Sequence, residues 1–332
     1  MLISMKDIAE ALNLSKTTVS WILSGKGTEK GFSEDTIKLV TDYARKVNYR
    51  PNLLARSLSL GTTNTIGLIV PFIGDTFYAQ IAQAIETEAG KRNYLLTICS
   101  SEGNSAHEID LIRILRSKQV DGLIIAPTKD SIAEIKKLKK DSFPFVLIDR
   151  YFPTLETNYI VVDNEESSFL IVTHMLRKKC RKIALLTSDT HLLVMNLRMK
   201  GYKTAVEKAN AANDEDLILQ IQRDDYTNDT IKQLDKLFKK HPDVDGFYFA
   251  THYLALEAIR YFLDKRIDYR NKFILACFHE TQALDILAPE MLIARMPIDD
   301  IGQRSIDMLL DNIKQRTLPP KHLILNNKLI NL

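Results

Sequence analysis

Leu12 to Gly27 reads "LNLSKTTVSWILSGKG". Ser15, Thr17, Thr18 and Ser20 crowd small hydroxyls onto what otherwise reads as a short helix, and Trp21 follows them. Hydroxyls inside a helix compete for backbone hydrogen bonds and make mediocre helix formers. Such a row is sensible where a helix presents small donors and acceptors to something polar and grooved. Upstream, Ile8, Ala9 and Leu12 have the core spacing of a helix over Met5–Leu12, which stops at Asn13, a residue tolerant of the left-handed conformation. Ser15 then caps a second helix, Lys16–Leu23, with Val19, Ile22 and Leu23 on its inner face. Ser33 caps a third, which carries Glu34 and Asp35 in its first turn and runs through Ile37, Val40, Tyr43 and Ala44 to Val47. Two short helices joined by a tight turn, with a third in support, form a helix-turn-helix arrangement within residues 1–50. Met5 reads as an alternative start, since no residue before it has an identifiable role.

Residues 51–64 differ in character. Pro51 opens a short apolar and basic segment, Asn52 to Leu58, too short to be a stable helix alone, and a Gly-Thr-Thr-Asn-Thr linker follows. From Thr65 the chain alternates strand and helix patterns. Expected strands are Ile66–Val70, Leu95–Cys99, Gly122–Ala126, Phe145–Asp149, Tyr159–Val162, Ile183–Thr187, Gly246–Ala250, Phe273–Phe278 and Leu292–Arg295, with amphipathic helices at Phe77–Lys91, Glu108–Lys118 and Ile301–Lys314 between them. Repeated strand–helix units build doubly wound parallel sheets, and this many strands suit two lobes better than one. The fold class is therefore an all-α headpiece followed by an α/β core.

Bulk properties narrow the function. The net charge of the 332 residues is +3. Residues 1–60 hold nine Lys/Arg and six Asp/Glu, so the entire excess lies there, a modest electrostatic footprint for a polyanion. No apolar run reaches the roughly 18 residues that a membrane span needs, and the N-terminus has no basic-then-apolar secretory pattern. Cys99, Cys180 and Cys277 stand far apart and read as buried thiols of a reducing cytoplasm, with neither a disulfide frame nor a zinc site.

The series "KDIAEALNLSKTTVSWILSGKG", "SEDTIKLV", "NYRPNLLARSL", "TNTIGLIVP", "DTFYAQIAQAIE", "VVDNEES", "RMKGY" and "IDDIGQRSIDMLL" resembles, in order and along the whole chain, the lactose-repressor/galactose-repressor family of bacterial transcription factors. The resemblance implies a DNA-binding headpiece (1–50), a hinge helix with its linker (51–64) and a dimerising core (65–332) resembling periplasmic binding proteins. Its first lobe is expected over 65–162 plus 296–322, its second over 163–291 plus the C-terminal segment. Docked as in the family, the second helix enters the major groove of double-stranded, palindromic operator DNA, and Ser15, Lys16, Thr17, Thr18 and Ser20 meet base edges and phosphates. Trp21 departs from the family, which commonly has a polar reader there; an indole suits thymine methyls or sugar, and equally suits covering core. Asn52, Ala55, Arg56 and Leu58 match the hinge motif, with Leu58 as the apolar wedge that opens the minor groove at the operator centre. The connection "GKGTEKGFS" is longer than usual, and its lysines face a phosphate or simply solvent.

Ligands of doubly wound domains bind at the carboxyl ends of strands. Those ends place Phe77 and Tyr78 to stack on a flat ligand face, or to serve as helix core, with Asp75 as acceptor beside them. Asp149 and Asn164 match family positions near the cleft and hinge, and Arg198, three residues before Gly201, matches the arginine that holds effector. Thr251-His252 and His279-Glu280 stand where the family has Asn-Asp and Asp-Asp. His252 and His279 in place of carboxylates suit an anionic ligand beside Arg198, such as a sugar acid or phosphate; they also suit a repurposed or empty cleft.

Three function classes compete. A cytoplasmic, homodimeric repressor controlled by a small-molecule effector (a sugar, sugar acid or sugar phosphate) accounts for every segment. A solute-binding protein without regulatory role shares the core but leaves the headpiece without purpose. An enzyme is disfavoured, since no GxGxxG, Walker, GxSxG or metal-spaced histidine motif occurs, and no cofactor is expected.

Overall fold

Three serines start the three helices of the N-terminal segment. The Ser4 hydroxyl accepts from the Asp7 N–H, and the Asp7 carboxylate accepts in return from the Ser4 N–H at 2.7 Å, a capping box that opens α1 (Met5–Ala11). Ser4 thus has the role that the sequence reading denied to residues before Met5. Ser15 caps α2 (Lys16–Leu23) and Ser33 caps α3 (Glu34–Lys46), each accepting from the N–H three residues on. Asn13, at φ +52°, makes the left-handed turn between α1 and α2. Ile8, Ala9, Val19, Ile22, Val40 and Ala44 close into one small core, sealed by Leu12, Leu23, Phe32 and Ile37.

This computed structural model describes residues 3–49, 61–188, 192–211, 214–222 and 225–331. It divides into Met1–Thr63 and Asn64–Leu332. The hinge residues Asn52, Ala55, Arg56 and Leu58 lie outside the described residues.

In the second unit the chain runs β1 (Thr65–Val70), α4 (Thr76–Lys91), β2 (Leu95–Ser100), α5 (Ser105–Ser117), β3 (Gly122–Ile125), α6 (Ile132–Lys140), β4 (Phe145–Ile148) and β5 (Tyr159–Val162). It continues through α7 (Asn164–Arg177), β6 (Ile183–Thr187), α8 (Leu193–Lys208), β7 (Ile218–Gln220), α9 (Tyr226–Lys240), β8 (Gly246–Phe249), α10 (His252–Asp264), α11 (Tyr269–Lys272), β9 (Ile274–Phe278), α12 (Gln282–Leu287) and β10 (Leu292–Arg295). Last come α13 (Ile298–Lys314), β11 (His322–Leu325) and β12 (Lys328–Ile330). One sheet has the order β11-β5-β4-β3-β1-β2 and is wholly parallel; the other is β12-β10-β9-β8-β6-β7, with only β12 antiparallel. The central strands are apolar on both faces, as helices on both sides of a parallel sheet require.

The chain crosses between the sheets three times, from β5 to α7, from β10 to α13 and from β11 to β12. All nine expected strands are present, and β7, β11 and β12 add to them. These three are sheet-edge strands of three or four residues, partly exposed, so they lack the long apolar run that marks a buried strand. The first-lobe return expected at 296–322 extends to Leu325 in β11, and Leu292–Arg295, left between the two expected lobes, lies in the second sheet.

Two helix pairs pack at glycine. A Cβ on Gly201 of α8 would lie 2.2 Å from the Glu165 carbonyl oxygen of α7, and one on Gly302 of α13 would lie 2.7 Å from the Ala84 side chain of α4. The obstacle at Gly201 is backbone, which cannot rotate aside. Gly201→Ala should therefore destabilise the core by about 1–3 kcal/mol in urea unfolding. Gly90→Ala, in α4 with nothing within 4 Å of the new methyl, should instead gain roughly 0.5–1 kcal/mol of helix propensity. Equal effects at the two sites would contradict the close helix approach.

Candidate ligand cavity and nucleic-acid interface

The two lobes face each other across a cavity of about 450 Å³, within the usual range for small-molecule sites. Its wall is made by residues following strand ends: Phe72 and Asp75 after β1, Asp149 and Arg150 after β4, Ser188 after β6, Thr251 to Tyr253 after β8, and His279 after β9. Of the residues expected from sequence, Asp75, Phe77, Tyr78, Asp149, Arg198, His252 and His279 line it. Asn164 does not. It is buried behind Arg198, and its Oδ1 accepts from Arg198 Nε at 2.8 Å while its Nδ2 donates to the Val162 carbonyl. Glu102, Tyr226 and Met296 also line the cavity and were missed. Glu102 and Met296 follow the ends of expected strands, so the strand-end rule could have found them; Tyr226 follows the unexpected β7.

Arg198 is 5% exposed. Besides Asn164, its Nη1 donates to the Ala250 carbonyl at 2.6 Å, and the guanidinium lies 3.7 Å from the centre of the Phe278 ring. Burial lowers its pKa.

The first-lobe wall is a closed polar group. The Tyr78 hydroxyl donates to Asp149 Oδ2 at 2.7 Å and accepts from Arg150 Nη2 at 3.2 Å, while Arg150 Nε lies 3.3 Å from the same Asp149 oxygen. Asp149 sits at φ +62°, where the Arg150 N–H donates across it to the Ile148 carbonyl. Desolvation, with Asp149 alongside, pushes the Tyr78 phenol well above its ordinary pKa. Phe77 and Tyr78 are buried members of the core cluster and also line the cavity.

Asp75 caps α4 by accepting from the Phe77 N–H, and the same oxygen lies 3.4 Å from His252 Nε2 across the cavity. The His252 and His279 rings meet edge-on at 5.3 Å, and Phe77 packs on His279 at 5.1 Å. His279, also at positive φ, is 4% exposed and neither ring nitrogen has a hydrogen-bond partner among the described residues. Burial, helped by His252 and Arg198, lowers its pKa to about 3. His279 is thus neutral near neutral pH, as the imidazole in place of a carboxylate was read. It brings one donor and one acceptor.

The N-terminal unit presents a different surface. On α2, Lys16 and Thr17 are exposed and Ser20 half-buried. The Ser15 and Thr18 hydroxyls lie 2.8 Å apart and Ser15 also accepts from the Thr18 N–H, so these two are committed to the cap before any base is met. Trp21 is 38% exposed, packs against Phe32 at 6.1 Å and carries Lys30 Nζ 5.5 Å above its ring. The longer connection thus folds back on the indole, so Lys30 is not a wholly solvated loop residue and Trp21 covers core while keeping an open edge.

Known proteins share this pattern. Residues 63–331 match the family described as periplasmic binding proteins and sugar binding domain of LacI family, and residues 4–52 match bacterial regulatory proteins, lacI family. The chain is 26% identical over 320 residues to catabolite control protein A of Priestia megaterium, covering 96% of this chain and 95% of that one. It is also 26% identical over 329 residues to the ribose operon repressor of Halalkalibacterium halodurans, covering 98% and 95%. In three dimensions it is similar to the lac repressor dimer bound to operator and the anti-inducer ONPF, with a TM-score of 0.84 at 19% identity over 99% of this chain and 98% of that one.

His279 makes stability depend on pH with a definite sign. Above its unfolded pKa, about 6.5, the ring is neutral in both states and contributes no slope. Below that, the unfolded chain takes up a proton that the folded cavity refuses until pH about 3, so stability falls with pH. By pH 5 the loss amounts to about 2 kcal/mol. Urea unfolding at pH 7 and pH 5 should show a smaller pH loss for His279→Gln than for the unsubstituted protein; identical losses would mean that the ring is not buried neutral.

Proposed function

The chain belongs to the LacI family of bacterial regulatory proteins, DNA-binding transcription regulators rather than enzymes, and from that premise we propose that it is a cytoplasmic repressor. It works as a homodimer on a palindromic operator, under control of a small polar effector held between the lobes at Arg198. The observation that carries this reading is the pairing, in one chain, of an exposed α2 face bearing Lys16 and Thr17 with a cavity whose wall presents a buried arginine and an unpartnered histidine. A solute-binding protein has no use for the first, and a constitutive DNA-binding protein none for the second. The named relatives include a catabolite control protein and a ribose operon repressor, and the lac repressor structure is a dimer on operator. Edge strand β2 exposes Leu95 and Ile98, apolar side chains of the kind a second copy covers.

In this reading Lys16 and Thr17 reach bases and phosphates, Ser20 and Trp21 flank them, and Ser15 and Thr18 hold the helix start rigid. Leu58 acts as the minor-groove wedge, with Asn52, Ala55 and Arg56 on the same segment. Effector binding changes the angle between lobes, and residues 51–64 carry that change along the chain.

Selection from randomised palindromic duplexes tests the reading. The unsubstituted protein should return one symmetric motif, bound with an affinity that falls steeply with salt. Thr17→Ala should change preference at a few positions by roughly 1–3 kcal/mol per base pair. Leu58→Ala should lose more affinity for the selected operator than for random DNA. No enriched motif would overturn the operator-binding reading, an unchanged motif for Thr17→Ala would remove Thr17 as a reader, and equal losses for Leu58→Ala would remove the wedge.

A further inference from the structure

Outside the cavity, the second sheet ends at edge strand β7, which a single 3₁₀ turn, Glu215–Leu217, leads into. The turn after α9 comes back beside it. Asp214, Asp216 and His241 each bring a ligand atom there, all within 4.8 Å of one another. Two aspartates at i and i+2 with a histidine on a later element match no metal-binding spacing, so no sequence motif could show the group. Acidic residues gather on exposed turns without binding anything, and the buried member is what sets this cluster apart. His241 is 7% exposed, and its Nε2 has no hydrogen-bond partner among the described residues. That nitrogen faces Asp214 Oδ2 at 3.5 Å.

The separation itself is informative. A hydrogen bond between nitrogen and oxygen would draw the atoms to about 2.7–3.2 Å. Nitrogen and oxygen ligands each about 2.0–2.2 Å from a zinc ion, set at the tetrahedral angle, lie about 3.4 Å apart. Asp214 is aimed by the backbone: its Oδ1 accepts from the Asp216 N–H at 3.1 Å as cap of the turn, which leaves Oδ2 toward His241. Asp216 meets the Lys240 ammonium through its Oδ2. The Lys240 side chain is 53% exposed, so the ammonium can exchange the carboxylate for water at little net cost. Asp216, Lys240 and His241 also border a cavity of about 90 Å³, room for an ion and its water.

We propose that Asp214, Asp216 and His241 form a site for a zinc-like divalent cation, and that Lys240 is the ammonium the ion displaces from Asp216. One imidazole with two carboxylates suits zinc and its first-row neighbours, whereas calcium and magnesium take oxygen ligands. Water completes the coordination, so the ion exchanges with solvent. While bound, it ties the entry to β7 to the end of α9, elements otherwise joined here by an exposed ion pair. The site lies apart from the cavity between the lobes and does not rest on the regulator reading.

The test titrates the untagged full-length chain, first freed of metal, with zinc in competition with a chromogenic chelator. Zinc should be taken up, and an excess of magnesium or calcium should not displace it. Loss of an outer-shell partner alone costs a metal site about ten- to a hundredfold in affinity, so loss of a ligand should cost at least about tenfold. Asp214→Asn and His241→Gln should each show that loss. Asparagine caps a turn as well as aspartate does and presents only its amide nitrogen to His241, so Asp214→Asn guards against a folding defect in the histidine variant. Lys240→Gln should change affinity in the opposite direction, binding zinc severalfold more tightly because the competing ammonium is gone. A protein that takes up no zinc overturns the proposal and leaves His241 and Asp214 as an ordinary histidine–carboxylate contact. Uptake that survives Asp214→Asn but is lost in His252→Gln places the ion at the cavity imidazoles and overturns it as well. Unchanged affinity in Lys240→Gln overturns the displacement. None of these results touches operator selection, which tests the regulator reading separately.

Discussion

The second lobe is organised around one guanidinium. Arg198 reaches from α8 to Asn164 at the start of α7, to the carbonyl of Ala250 just beyond β8 and to the Phe278 ring at the end of β9. Asn164 is also the first helical residue after the chain leaves the first sheet. One side chain therefore joins a crossing between lobes to two strand ends. The contact requires α7 and α8 to run nearly backbone to backbone, which Gly201, one helical turn after Arg198, allows. The "RMKGY" stretch is thus a single device, with the glycine setting the helix distance and the arginine using it.

Much of this was legible in the residues. Central strands such as Ile183–Thr187 and Gly246–Phe249 are short apolar runs between turn residues, and the helix starts carry Ser15 and Ser33 one position ahead of the first turn. What escaped reading depends on partners distant in sequence. The edge strand β12 exists because Leu329 pairs with Ala294, more than thirty residues upstream. Asn164 was read as standing near the cleft and hinge among the effector-binding positions, yet which of two polar neighbours, Asn164 or Arg198, meets the cavity depends on a helix contact that no local pattern encodes. His279 was read by residue type, whereas its protonation follows from burial beside His252 and Arg198. Ser15 and Thr18 carry the same hydroxyls as their neighbours and differ only in meeting each other.

Asp149 and His279 share an uncommon backbone state. Each follows the end of a central strand, one per lobe, and each holds a side chain at positive φ, where a non-glycine residue is strained by about 1–2 kcal/mol. Glycine would relieve that strain and would also remove the groups facing the cavity. Both residues line the cavity, one from each lobe, so the strain coincides with side chains that a glycine would not supply.

Trp21 is the chain's single tryptophan, and it lies in α2 against Phe32 and beneath Lys30, whereas the aromatic residues around the cavity are Phe72, Phe77, Tyr78, Tyr226, Tyr253 and Phe278. The molecule therefore carries one indole chromophore, and it belongs entirely to the nucleic-acid-facing unit. Light absorbed by that ring reports the polarity and motion of the second helix. Any shift in its emission when a small molecule enters the cavity would be the passage of a signal between the two units, recorded without a label and without DNA present.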